Sequence, residues 1–237
     1  MARTPLTGSG YLPHLEQAAA DVTAVLQTGD LDAPVPGCAP WRLTDLAHHL
    51  GGIHRWARTA LVENRAGSET VDDAPRDRDA LVAWFRDGAD ALVATLRDTD
   101  PDAPAWGFGP RPRTAAFWFR RQAHETAAHA GDAAASQGAS RPYGTELALD
   151  GIDEIVGMFL PRQIRLGRIP PLPATLVLEP DEGGRWVLGN GPAATVSGPA
   201  EALLLLLWHR IALDDPRLAV EGDRPAADTV LAQALTP

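Results

Sequence analysis

Two histidines and one glutamate are the residues of this chain whose types and spacing best suit chemistry. Glu125 and His129 are four positions apart, so on a helix they differ by about 40° and share one face. His49, on an earlier predicted helix, can supply a third donor. One carboxylate and two imidazoles suit a divalent metal ion, and three protein ligands leave a coordination position open, as in catalytic zinc sites. These residues therefore predict a metal centre.

The segment around Glu125 is not the His-Glu-x-x-His motif of zinc peptidases. That motif places two histidines at i and i+4 on one face, whereas His124 and His129 are five positions apart and differ by about 140° on a helix. We expect His124 to bridge two helices or to support a metal ligand from behind. Asp132, one turn after His129, can accept a hydrogen bond from a ligand imidazole, or it can be an ordinary surface carboxylate.

The position of His49 on its helix is compatible with more than one role. It falls in line with the apolar residues of that helix, which are Leu46, Ile53, Trp56 and Ala60. A lone histidine on such a face is more often a hydrogen-bonded core residue than a ligand, and Glu125 with His129 can also form a solvated surface pair. Trp118 shares the helix face of Glu125, however, and a buried glutamate is costly unless it is paired or metal-bound. Spacing alone leaves these alternatives open.

Several side chains near these segments are candidates for binding a substrate or a thiol. Four arginines lie just before or at the start of the fourth predicted helix: Arg111, Arg113, Arg120 and Arg121. Arg120 or Arg121 can grip a carboxylate through two parallel hydrogen bonds, or all four can be solvated. Cys38 has no evident neighbouring base to activate its thiol, so we expect it to be inert. The histidines without a spacing signal are His14, His54 and His209.

The composition excludes several classes of partner. The 237 residues allow one large or two modest domains. A formal net charge of −10 and the lack of a basic stripe argue against a nucleic-acid partner. The longest apolar block, residues 202–208, is too short to cross a membrane, and the first thirty residues lack a signal-peptide pattern. A single cysteine excludes an intramolecular disulfide and suits a reducing cytoplasm.

Apolar periodicity predicts a helical N-terminal region and a mixed C-terminal region. Helices are predicted at 11–27, 44–63, 76–97 and 114–136, with a polar stretch at 64–75, and a fifth helix at 150–166 is interrupted at Pro161. Four such helices predict a four-helix bundle, a fold that builds metal sites from facing helices. The segment 168–173 is the predicted linker.

The region after the linker predicts a small α+β domain. Strands are predicted at 175–178, 185–188, 194–196 and 218–220, and helices at 199–213 and 226–235. The expected fold class is therefore α+β, mainly α, with a bundle domain at 1–167 and a C-terminal domain at 174–237.

Two blocks of the sequence resemble the mycothiol-dependent maleylpyruvate isomerase family, part of the DinB-like group of metal-binding four-helix bundles. They are residues 41–52, WRLTDLAHHLGG, and residues 120–133, RRQAHETAAHAGDA. Residues 196–210 and 218–223 look like the small C-terminal domain of that family, so the resemblance spans almost the whole chain. All 21 basic residues are arginine, which indicates GC-rich coding and is compatible with an actinobacterium, the lineage that makes mycothiol.

The resemblance implies that His49, Glu125 and His129 are ligands of Zn²⁺ and that mycothiol is the cofactor or co-substrate. A metal-activated thiolate would then transfer its sulfur to a small-molecule electrophile or isomerise a maleylpyruvate-like cis double bond. Many family members have larger residues at Ala130 and Gly131, which predicts a wider pocket and a different substrate here. Hydrolysis by zinc hydroxide without a thiol, or a structural or sensing metal site, stays open as a second class.

Overall fold

The computed structural model describes residues 6–67 and 74–236. The chain divides into two compact units, Met1–Pro142 and Tyr143–Pro237. The first is helical and the second combines helices with one small sheet. The predicted class, mainly α with a C-terminal α+β domain, is confirmed.

Four long helices form the first unit. They are α1 (Leu12–Thr28), α2 (Leu43–Glu63), α3 (Arg78–Arg97) and α4 (Ala116–Ser136). Helices α1 and α2 each pack against both α3 and α4, which is the predicted four-helix bundle. The apolar stripe predicted for α2 is buried, and so are the apolar residues at helical spacing in α3: Leu46, Ile53, Trp56 and Ala60 in α2, and Leu81, Phe85, Ala89, Leu92 and Leu96 in α3. Burial of these stripes holds the faces of α2 and α4 that carry the candidate site against each other.

Helix α2 begins earlier than the sequence predicts. Its first residue is Leu43, one before the predicted start at Thr44, and the Thr44 hydroxyl donates to the carbonyl of Leu31 at 3.0 Å rather than capping the helix. The Asp45 carboxylate instead reaches back to the N–H of Arg42 at 2.9 Å, which satisfies a free donor at the helix start. Helix α3 begins after Asp77, whose side chain accepts from the N–H of Ala80. Of the predicted polar stretch at 64–75, residues 68–73 lie outside the described residues.

The second unit starts with a helix that the sequence placed five residues too late. Helix α5 (Thr145–Glu154) continues through a π-helical turn, Ile155–Phe159, into α6 (Leu160–Arg165). The interruption expected at Pro161 is this π turn, because proline lacks the N–H of a regular helical ladder. Helix α5 packs against α7, so the compact units divide at residues 142 and 143 and not within the predicted linker at 168–173.

The sheet of the second unit has the order β2-β1-β3-β4. Its strands are β1 (Thr175–Pro180), β2 (Trp186–Gly189), β3 (Ala193–Gly198) and β4 (Ala219–Gly222). Strands β1 and β3 are parallel, and the outer pairs are antiparallel. Helices α7 (Ala200–Leu207) and α8 (Arg224–Leu231) pack against β1 and β3, and both are shorter than predicted. Among the described helices, none has the length and apolarity needed to cross a bilayer.

Candidate metal centre

Helices α2 and α4 bring the three predicted ligands together. His49 Nε2 lies 3.1 Å from Glu125 Oε1, and His129 Nε2 lies 3.4 Å from the same oxygen. The three donor atoms are all within 4.8 Å of one another. His49 and Glu125 are 76 positions apart in the sequence but meet in the fold. The place of His49 in the apolar stripe of α2 predicts this inward position.

This donor set fits a zinc ion. Tetrahedral zinc with bonds of about 2.0 to 2.1 Å separates neighbouring ligand atoms by about 3.3 Å, close to the 3.1 and 3.4 Å found here. Two imidazoles and one carboxylate are also the ligand types of catalytic zinc sites. The side chains of His49 and Glu125 remain 30% and 19% exposed, so a further ligand can approach from solvent.

Asp132 orients the imidazole of His129. Its Oδ2 lies 3.0 Å from His129 Nδ1, and the Asp132 side chain is only 3% exposed. A carboxylate in this place accepts a hydrogen bond from Nδ1–H, so Nε2 is the ring nitrogen that faces Glu125 Oε1 and would bind a metal ion after losing its own proton. A hydrogen bond of this kind fixes the tautomer and the ring orientation of a metal-ligating histidine.

Arg121 contacts Glu125, not the open side of the site. Its Nη2 lies 3.0 Å from Glu125 Oε2, and its side chain is only 3% exposed. The guanidinium therefore neutralises the second oxygen of the glutamate, and this geometry does not suit the substrate contact predicted for it. Among the other predicted arginines, Arg120 is half-buried, while Arg111 and Arg113 are exposed.

The charges of Glu125 and His129 stabilise each other. Burial favours the neutral carboxyl, but hydrogen bonds from His129 and His49 and the charge of Arg121 hold the pKa of Glu125 well below its usual range. Burial likewise opposes the imidazolium, but hydrogen bonds with Asp132, Cys38 and Glu125 raise the pKa of His129 well above its usual value. In the metal-free protein Glu125 is thus an ionised carboxylate between two cations, the Arg121 guanidinium and the His129 imidazolium, and a metal ion would take the place of the His129 proton.

Two residues that the sequence did not assign to the site lie directly beside it. Cys38, in the short 3-10 helix before α2, places its Sγ 3.3 Å from Asp132 Oδ2. The ring centre of Trp41 lies 4.7 Å from that of His49 and 6.1 Å from that of His129. No spacing rule links a loop residue to a side chain 94 positions away, so only the folded chain reveals these contacts.

The remaining histidines of the bundle lie outside the ligand set. His124 is fully buried, with its ring centre 6.3 Å from that of Tyr11 at the start of α1, which matches the helix-bridging alternative. His48 contacts the carbonyl of Pro75 at 2.8 Å through Nε2. His54 Nε2 lies 2.9 Å from Thr126 Oγ1, and burial lowers the pKa of His54 to about 3.

The comparisons with known proteins agree with this architecture. Residues 12–134 match the family described as the mycothiol maleylpyruvate isomerase N-terminal domain, and residues 146–229 match the family described as the MDMPI C-terminal domain. The chain belongs to the mycothiol maleylpyruvate isomerase family. This family is one of enzymes, as the sequence predicts, and its N-terminal domain matches the bundle that carries the candidate site.

Two solved structures of mycothiol-dependent maleylpyruvate isomerase have the same fold. The first is 16% identical, with a TM-score of 0.66, and the match covers 94% of this chain and 96% of that chain. The second, a histidine-to-alanine mutant, is also 16% identical, with a TM-score of 0.62, and the match covers 86% and 88%. No curated protein matches the sequence.

Proposed function

We propose that this chain is a zinc-dependent enzyme that uses a low-molecular-weight thiol, mycothiol in the first place, to attack an electrophilic carbon. The observation that carries the proposal is the convergence of His49 Nε2 and His129 Nε2 on Glu125 Oε1. It occurs in a chain that matches both domains of the isomerase family. His49, Glu125 and His129 would hold the zinc ion.

Bound zinc would supply a positive charge that favours the thiolate, the reactive form of a thiol, at neutral pH. The side chains around it have separate tasks. Arg121 pairs with Oε2 of Glu125, so Oε1 is the oxygen that would bind the metal. Asp132 holds the His129 ring by its Nδ1, and Trp41 packs against the rings of His49 and His129.

Two reactions are compatible with a thiolate at this site. In isomerisation, the sulfur adds to one carbon of a cis double bond conjugated to a carbonyl, the resulting single bond rotates, and the sulfur leaves with the trans double bond restored. In S-transfer, the new carbon–sulfur bond persists, the enolate that the addition leaves takes up a proton, and the product leaves as a thioether. The same ligands serve both reactions, so the electrophile decides the outcome.

The residues after His129 do not line the candidate site. Ala130 is buried in the bundle. A side-chain carbon placed at Gly131 would meet nothing within 4 Å, but position 131 lies about 200° around α4 from His129, on the side away from the donor atoms. The wider pocket expected from Ala130 and Gly131 therefore has no support in the structure, and we propose the electrophile only by class, as an electrophilic carbon that a thiolate can attack.

The test combines metal analysis with turnover. We expect about one zinc per chain and consumption of an electrophile that requires mycothiol, in a panel that includes maleylpyruvate and bulkier analogues. His129→Ala is expected to lose both the zinc and the turnover while it keeps its helicity. Zinc-dependent hydrolysis without added thiol would support the hydrolase instead, and zinc without any turnover would support a structural or sensing site.

A further inference from the structure

A short chain of hydrogen bonds leads from the loop before α2 to one of the candidate ligands. The Cys38 thiol donates to Asp132 Oδ2 at 3.3 Å, and the same oxygen lies 3.0 Å from His129 Nδ1. Asp132 is 3% exposed and His129 is 11% exposed, while Cys38 is half-buried. One carboxylate oxygen thus joins a loop thiol to the imidazole that faces Glu125.

We propose that Cys38 is a positioning residue for His129 and acts through Asp132. This inference rests on the proposed metal centre of His49, Glu125 and His129. An oxygen that accepts from two donors is held in a narrower range of positions than one that accepts from a single donor. Cys38 therefore restricts the carboxylate that sets the tautomer and the angle of the His129 ring.

A competing role for the thiol is metal coordination. Cys38 Sγ, His129 and Asp132 have donor atoms within 4.8 Å of one another, and they share only His129 with the first set. Zinc bonds of about 2.3 Å to sulfur and about 2.1 Å to oxygen would separate those two atoms by about 3.6 Å. The distance found is 3.3 Å, and the Nδ1–Oδ2 distance of 3.0 Å is an ordinary hydrogen bond. These distances alone do not separate the two roles, because the 3.1 Å between His49 Nε2 and Glu125 Oε1 is also a hydrogen-bonding distance; the spectrum of the cobalt-substituted protein separates them.

Zinc affinity measured by competition with a chromogenic chelator tests the proposal without any turnover. Loss of a partner behind a ligand histidine typically weakens metal binding about 10- to 100-fold. We expect Cys38→Ala to bind zinc about tenfold more weakly, and Cys38→Ser, which keeps a hydroxyl donor, to bind close to the wild type. Asp132→Asn is expected to lose at least as much affinity as Cys38→Ala. The free energies of unfolding of metal-free Cys38→Ala and Cys38→Ser should both stay within about 1 kcal/mol of the wild type, because Cys38 is only half-buried and contributes a single weak donor.

The outcomes separate the roles of Cys38 from the existence of the site. Equal zinc affinity of Cys38→Ala and the wild type would overturn the positioning role, as would an equal loss in Cys38→Ala and Cys38→Ser. The cobalt-substituted wild type is expected to show no sulfur-to-metal charge-transfer band without added thiol. A band that disappears in Cys38→Ser would make Cys38 a ligand and overturn the proposal. A wild type that binds no zinc would instead overturn the proposed function.

Discussion

Arg121 and Glu125 form a buried ion pair within one helix, with Arg121 Nη2 3.0 Å from Glu125 Oε2. The pair is four residues apart, so the backbone of α4 fixes its geometry. It places a permanent positive charge behind the carboxylate whose other oxygen faces His49 and His129. The candidate ligand is therefore oriented before any metal binds.

Arg121→Gln is expected to destabilise the metal-free protein by about 3 kcal/mol, because it takes the guanidinium from Glu125 Oε2 and leaves that largely buried carboxylate only the imidazoles of His49 and His129. Bound zinc should reduce this loss of stability relative to the wild type, since the cation then neutralises Glu125. Chemical denaturation with chelator and with zinc measures both effects. Arg113→Gln, at an exposed arginine, is the control and should stay within about 0.5 kcal/mol. A loss that zinc does not reduce would contradict this role.

Two adjacent histidines of α2 offer a matched pair of substitutions. His49→Gln removes a proposed ligand and should weaken zinc binding by more than about a hundredfold, beyond the effect of losing an outer partner. His48→Gln should leave affinity unchanged, because the His48 ring contacts the carbonyl of Pro75 and lies outside both ligand sets. Equilibrium dialysis with metal analysis gives the two affinities. Equal affinities of the two variants would remove His49 from the site.

His54 makes stability depend on pH in a defined direction. Burial lowers its pKa from 6.5 to about 3, so between these values the unfolded chain binds a proton that the folded chain does not. The free energy of unfolding therefore falls as the pH falls from 6.5 toward 3, by about 1.4 kcal/mol per pH unit from this residue. Above pH 6.5 the contribution of His54 is constant.

His54→Gln isolates this effect, because glutamine can still bond Thr126 but does not titrate. Other groups titrate in both proteins, so the difference between the two free energies reports His54 alone. In metal-free protein, the free energy of unfolding of the variant should rise relative to that of the wild type by about 1.4 kcal/mol for each pH unit between pH 6 and pH 4. Parallel stability curves for the two proteins would show that His54 is not held neutral.

Gln122 is fully buried, and neither polar atom of its side chain has a hydrogen-bond partner among the described residues. A buried polar group without a partner costs about 1 to 3 kcal/mol, so Gln122→Met should raise the free energy of unfolding by about 1 kcal/mol. Gln163→Met is the matched control. That buried amide donates to the carbonyls of Ala234 and Thr236, so the control should lose stability. A loss at Gln122 would reveal a bound water or ligand group there.

The sequence predicts most of the first unit because helical periodicity carries the information. The buried stripes of α2 and α3 follow from apolar spacing, and the Glu125–His129 face follows from a separation of four residues. Helix starts were less accurate: Asp45 caps α2 through the N–H of Arg42, and Thr44 bonds a loop carbonyl. Which of two neighbouring polar residues caps a helix depends on the path of the loop before it.

The surroundings of the site could not be predicted in the same way. The sequence suggested an inert Cys38 and an Arg121 available to substrate, because neither residue has a neighbour in the sequence that reveals its partner in space. The contact of Cys38 with Asp132 depends on the loop that precedes α2. Arg121 turns to Glu125 because a buried guanidinium requires a nearby anion.

The most direct test of the central claim is a crystal of the zinc-loaded protein measured on both sides of the zinc absorption edge. The account predicts one anomalous peak about 2.0 to 2.2 Å from His49 Nε2, Glu125 Oε1 and His129 Nε2. A peak on the other side of the same ring, between His129 Nδ1, Asp132 and Cys38, would contradict it, and so would the absence of any peak near His129.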